Sequence, residues 1–125
     1  MADRVILLVE DDPYNRDILR EILEEFAAYT IVEASNGAEA LRWLLANPEP
    51  ALMLLDMMMP EMDGYTLLQE LRARGRASLR VVGVSARART GDEEKAMAAG
   101  CWRYLTKPFN IAEVESTVHD GLTIP

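Results

Sequence analysis

The chain has 125 residues, half of them hydrophobic, which suits one compact domain with a well-filled core. Its net charge of -8 repels nucleic acid and anionic membranes as main partners, but leaves divalent cations and basic protein surfaces open. No apolar run is long enough to span a membrane, the opening MADRVILLVEDD is too acidic for a signal peptide, and a lone cysteine excludes an internal disulfide.

The expectation is therefore a cytoplasmic protein whose residues 1–125 form one domain, with no linker or repeat. Val5 to Val9 is an unbroken apolar run and reads as a first strand. Unbroken runs, rather than in–out alternation, are what a parallel sheet covered on both faces produces. Asp12-Pro13 then supplies a helix cap and a proline at the first helical position, and Ile18, Leu19, Ile22, Leu23 and Phe26 follow at helical spacing. Thr30 to Val32 is a short second strand. Asn36 and Glu39 have capping-box spacing ahead of Leu41, Leu44 and Leu45, with Trp43 beside them as a partly exposed packing residue. Asn47-Pro48-Glu49-Pro50 interrupts the chain, and Ala51 to Leu55 is the third strand. Asp63-Gly64 caps a helix carrying Leu67, Leu68 and Leu71. An arginine-rich stretch from Arg72 to Arg80, with Gly75 inside it, reads as a breaker before the fourth strand, Val81 to Val84. Thr90 and Glu93 have cap spacing, but Arg87 to Asp92 shows no period, so the fourth helix lacks an amphipathic signature. Cys101, read as a small buried hydrophobe, opens the fifth strand through Leu105. Asn110 and Glu113 cap the last helix, which carries Ile111, Val114 and Val118 at helical spacing and His119 on its surface.

Five β-α units in a row imply an α/β fold with a mostly parallel sheet and helices on both faces. In such sheets ligands bind at the carboxyl ends of the strands. Those ends carry Glu10, Asp11 and Asp12, then Asp56, Ser85, and Thr106-Lys107-Pro108. The second strand ends in Glu33-Ala34-Ser35, which adds little. Clustered carboxylates repel one another and require a hard cation with oxygen ligands, for which Mg²⁺ is suited. A carboxylate can also accept a phosphoryl group, whose oxygens a metal ion, a lysine and a hydroxyl would neutralise or hydrogen-bond. Met57, Met58 and Met59 suggest a soft-metal site, but no cysteine or histidine accompanies them, and packing over the site is the better reading.

The segments VILLVEDD, LLDMMMPEMDG, VVGVSA and YLTKPF, in that order and each at a strand end, closely resemble the response-regulator receiver family over essentially the whole chain. The resemblance implies a flavodoxin-like (βα)5 three-layer sandwich with strand order 2-1-3-4-5. It implies that Asp56 is the phospho-acceptor, and that Glu10, Asp11, Asp56 and the Met58 backbone carbonyl hold Mg²⁺, for which Mn²⁺ or Ca²⁺ would substitute. Ser85 would be the switch hydroxyl, Lys107 the phosphoryl contact before a cis Lys107-Pro108 peptide, and Tyr104 the moving switch aromatic. Pro60 and Gly64 would shape the loop after Asp56. The phosphoryl group would come from a sensor histidine kinase, a histidine phosphotransfer protein or a small donor. Its arrival would alter the surface of the fourth helix, fifth strand and fifth helix for a downstream protein, or for a second copy. Catalysis would extend only to the protein's own phosphorylation and dephosphorylation.

Three positions depart from the family's commonest pattern. Met58 and Arg87 overhang the site, where the first would hinder water and the second pair with an anion. Trp102 shares strand parity with Tyr104, so both should point to one side. Burial of Trp102 beneath the fourth helix and a partner surface of Trp102, Arg103 and Tyr104 both stay open. Three alternatives fit less well. A phosphohydrolase with an aspartate nucleophile needs a second aspartate where Met58 stands. A flavin protein needs a phosphate-cradling loop where Glu10-Asp11-Asp12 stands. A pseudo-receiver working without phosphorylation usually lacks one of the acids, the nucleophile or the lysine.

Overall fold

The computed structural model describes residues 4–86 and 91–125; Arg87 and Thr90 lie outside the described residues. Strands and helices alternate as β1 (Val5–Val9), α1 (Pro13–Leu23), β2 (Thr30–Ala34), α2 (Gly37–Ala46), β3 (Leu52–Asp56), α3 (Gly64–Ala73), β4 (Val81–Ser85), α4 (Asp92–Ala99), β5 (Arg103–Thr106) and α5 (Ile111–Thr123). The five strands pair in parallel in the order β2-β1-β3-β4-β5, as the resemblance implies.

The unbroken apolar runs follow from two cores. Leu7, Val9, Met53 and Leu55 face α2, α3 and α4, whereas Ile6, Leu8, Leu52 and Leu54 face α1 and α5. Successive strand residues thus enter opposite layers, and both must be apolar. An 11-residue helix such as α1 is marginal alone. Leu19, Ile22 and Leu23 are buried against the sheet, and each fully buried side chain of this kind contributes about 1.5–3 kcal/mol.

The caps of α1, α2, α3 and α5 form at Asp12, Asn36, Asp63 and Asn110. α4 differs: its cap position is Gly91, at φ 96°, and among the described residues no side chain caps it. Ala96 is its only buried residue, which is why no amphipathic period shows in the sequence. β2 runs two residues past its apolar stretch, because ladder pairing continues through Leu8–Glu33 and Val9–Ala34 on this edge strand.

The arginine-rich stretch does more than interrupt the chain. Arg76 donates to the Leu44 carbonyl of α2 at 2.7 Å, and Arg72 to the Ala98 and Ala99 carbonyls of α4 at 3.5 and 3.3 Å. Arg80 donates to the carbonyls of Gly121, Ile124 and Pro125 around the end of α5 at 3.0, 2.6 and 3.3 Å. Carbonyls of the last helical turn lack intrahelical donors and carry the negative end of the helix dipole, so guanidinium groups satisfy both needs.

Trp102 departs from the parity expectation. It occupies a bend before β5, where the two-residue period has not yet begun. Its half-buried ring packs on the α1–α5 side, against Gly121 and between the guanidinium groups of Arg80 and Arg103 at 4.7 and 4.3 Å. Tyr104 packs on the opposite side, with the α2–α4 core. Trp102 is therefore covered by α5 rather than α4. Trp43 is half-buried, His119 exposed and Cys101 buried, as expected. Burial pushes the Cys101 thiol up to about 12.

Candidate functional site

β1 stops at Val9, and the next three residues turn the chain into α1. Asp12 is taken up by the helix start: its carboxylate accepts from the Tyr14 amide at 3.2 Å and from Asn15 Nδ2 at 2.6 Å. Glu10 and Asp11 remain directed at the rim. Ligand oxygens of Glu10, Asp11 and Asp56 lie within 4.8 Å of one another. Asp56 is the last residue of β3 and only 3% exposed; Glu10 is 1% exposed. Burying carboxylates this deeply is unfavourable unless opposite charge and donors surround them.

Lys107 supplies that charge. Its Nζ lies 2.9 Å from Glu10 Oε1 and 3.2 Å from Asp56 Oδ2. The Met58 amide donates to Asp56 Oδ1 at 3.0 Å, and the Asp12 amide to Glu10 Oε2 at 3.1 Å. Ser85 is buried at the end of β4, paired in register with Thr106, and its carbonyl accepts the Lys107 amide at 2.9 Å. The Lys107-Pro108 peptide is cis, as expected. The Met58 side chain is 45% exposed over the rim, whereas Met57 and Met59 are buried in the core beneath. Gly64 is required here: a Cβ would come within 2.8 Å of Met57 Cα and 3.0 Å of Asp56 O.

Electrostatics follow from the geometry. Burial, then the neighbouring Asp56 carboxylate, pushes the Glu10 carboxyl up to about 7, against the smaller lowering by Lys107 and the Asp12 amide. Burial pulls Lys107 down, but Glu10 and Asp56 together outweigh it and hold the ammonium above the ordinary lysine range. One lysine thus leaves the acidic group short of positive charge. Glu10 Oε1 is also the one buried side-chain oxygen, among the described residues, without a hydrogen bond; the Lys107 contact is an ion pair lacking the directional geometry. An all-oxygen donor set with an under-satisfied buried oxygen fits a hard divalent cation.

The expected residues Glu10, Asp11, Asp56, Met58, Ser85 and Lys107 therefore meet at one rim of the sheet. Trp102, Arg103 and Tyr104 do not form one face. Arg103 pairs with Asp120 of α5 at 2.8 Å, on the side away from Tyr104. One contributor went unnoticed in the sequence: Arg16 of α1 donates to the Glu10 carbonyl at 2.9 Å and lies 3.7 Å from Glu33. The signal was available as Arg16 and Arg20 on one helix face, opposite an acid at the end of the strand that a β-α-β unit places alongside.

The chain is similar to known proteins over most of its length. The family model described as the response regulator receiver domain matches residues 6–119. The response regulator Rre1 of Synechocystis sp. is 40% identical over 124 residues, 98% of this chain and 53% of that protein. This chain thus spans about half the length of Rre1. An uncharacterized 14.6 kDa protein in the sodA1 3' region of Leptolyngbya boryana is 40% identical over 115 residues, 91% of this chain and 86% of that one. The crystal structure of the receiver domain of the sensor histidine kinase PA1611 from Pseudomonas aeruginosa holds a magnesium ion in its active site cleft. It superposes with a TM-score of 0.83 at 30% identity, covering 97% of this chain and 98% of that one.

Proposed function

This chain belongs to the response regulator receiver domain family of two-component signalling, and on that premise we propose that it is a switch phosphorylated on Asp56 with the help of Mg²⁺. The observation that carries the reading is the Asp56 carboxylate, held between the Lys107 ammonium and the Met58 amide beside two further carboxylates. Those two contacts orient Asp56 as a nucleophile. Its oxygen forms a bond to phosphorus as the bond to the donor's histidine nitrogen, or to the acyl oxygen of a small phosphodonor, breaks.

Glu10, Asp11, Asp56 and the Met58 carbonyl are the residues that would hold Mg²⁺, with Mn²⁺ or Ca²⁺ as substitutes. When bound, the ion offsets carboxylate repulsion and the charge of the incoming phosphoryl oxygens. Lys107 contacts those oxygens, Ser85 supplies a hydroxyl, and Tyr104 follows Ser85 inward. The change alters the α4–β5–α5 surface, to which Trp102, Arg103 and Tyr104 contribute from two faces. We read residues 1–125 as one receiver domain, cytoplasmic, with a sensor histidine kinase or histidine phosphotransfer protein upstream and a protein target, or a second copy, downstream. Among the described residues no helix is long and apolar enough to cross a membrane.

The test is intact mass after incubation with acetyl phosphate and Mg²⁺. Wild type gains one phosphate and Asp56→Asn gains none. Unmodified wild type, or steady turnover of phosphate esters, overturns the reading; the second outcome favours a hydrolase.

A further inference from the structure

The end of β1 presents an unusual need. Its pairing with β2 and β3 finishes at Val9, and the Glu10 amide makes one last bond to the Ala34 carbonyl at 3.1 Å. The Glu10 carbonyl lies past the last rung, where no strand among the described residues offers it a donor. A buried peptide group left in that state is costly and lets the peptide rotate. Arg16 Nη1 fills the position at 2.9 Å, reaching back from the first turns of α1. Its Nε lies 3.7 Å from Glu33 Oε2, while the other Glu33 oxygen accepts from Arg20 Nη1 at 2.8 Å.

We infer that Arg16 is a positioning residue for the cation site, its guanidinium holding the Glu10–Asp11 turn while Glu33 of β2 anchors it from behind. The inference rests on the function proposed above. Both side chains that flank this peptide are proposed ligands, so fixing the peptide fixes their approach. The charges are arranged consistently with that role. A lone guanidinium would oppose a divalent cation, but Glu33 offsets its charge on the side away from the site. The Arg16 side chain is only 19% exposed, which limits its freedom to leave. Lysine is a poorer substitute, because its donors all sit on one nitrogen, whereas Arg16 reaches the Glu10 carbonyl and Glu33 from separate nitrogens of a planar fork. The end of β2, unpromising in the sequence, thereby serves the site at one remove.

Two readouts test this in wild type, Arg16→Ala, Arg16→Lys and Arg20→Ala. One is Mg²⁺ affinity by titration calorimetry. The other is hydrogen-exchange protection of the Asp12 amide, which bonds Glu10 Oε2, in metal-free protein by NMR. Arg16→Ala is expected to weaken Mg²⁺ binding roughly tenfold and to lose Asp12 protection, with Arg16→Lys recovering part of both. Arg20→Ala, which also loses a Glu33 contact but none to Glu10, should stay within about twofold of wild type. Wild-type affinity and protection in Arg16→Ala, or equal losses in Arg20→Ala, would overturn the inference. If Arg16→Ala fails to fold, Arg16→Lys against Arg20→Ala makes the same decision. A wild type that binds no Mg²⁺ sinks the proposed function instead, and Asp12 exchange alone then decides the role of Arg16.

Discussion

Lys107 Nζ lies 3.2 Å from Asp56 Oδ2, although 51 residues separate them in the chain. Parallel register produces this meeting. Asp56 pairs with Val84 across β3 and β4, Ser85 pairs with Thr106 across β4 and β5, and Lys107 follows directly. The same ammonium reaches Glu10 from β1, so one cation joins the ends of three strands.

Removing that cation leaves two buried carboxylates unpaired. Lys107→Ala is expected to lose about 3 kcal/mol in chelator, measured by urea unfolding. Added Mg²⁺ should recover more stability in this variant than in wild type, since Lys107 is not among the proposed ligands. The phosphodonor response at Tyr104, followed by NMR, should be blunted. An unchanged urea midpoint together with an unchanged Tyr104 response would remove Lys107 from the site.

Glu10 gives the metal-free protein a pH dependence of definite sign. Its folded value, about 7, lies above the ordinary 4.5, so the folded state binds this proton more tightly than the unfolded chain does. The stability it contributes is complete below about pH 4.5 and is lost as pH rises through about 7. In chelator, the thermal midpoint of wild type should fall across that window relative to Glu10→Gln, which cannot titrate. Parallel curves for the two proteins would contradict the assignment.

Gly64 tests how closely α3 approaches the acceptor. Gly64→Ala places a methyl 2.8 Å from Met57 Cα, a backbone atom that cannot swing away. The expected cost is about 2 kcal/mol, with slower phosphorylation by acetyl phosphate because the Asp56–Met58 segment must shift. A variant matching wild type in both urea midpoint and phosphorylation rate would show that the loop yields freely.

Arg80→Ala probes the α5 end and Trp102 together. It removes donors from the Gly121, Ile124 and Pro125 carbonyls and one guanidinium from the Trp102 ring. A loss of about 1–2 kcal/mol is expected, with stronger acrylamide quenching of Trp102 fluorescence in a Trp43→Phe background. Phosphorylation should be unaffected, since the change lies at the opposite end of the strands from Asp56. Quenching equal to the parent would mean that the ring is not held by this stack.

Much of the molecule was legible in the chain because its signals are local. A strand buried on both faces must be apolar at every position, so Val5–Val9 and Val81–Val84 declare themselves. Caps such as Asp63, which accepts from Thr66 at 2.8 Å, act within three residues. The catalytic candidates stood out because charged groups directly after apolar strands have few reasons to be there. The start of α4 was not legible because its cap position is Gly91, which has no side chain to accept from the first turn.

The order of elements, the layering and the gathering of Glu10, Asp11, Asp56, Ser85 and Lys107 at one rim were determined by sequence alone, through periodicity and strand-end chemistry. Tertiary structure alone decided which way Trp102 faces, what Arg72, Arg76 and Arg80 bind, and that Arg16 holds Glu10. The physical reason is reach. An arginine side chain spans several ångströms and can serve carbonyls on other elements, and a bend before a strand resets parity. Neither leaves a periodic trace, so only the packed chain reveals the partner.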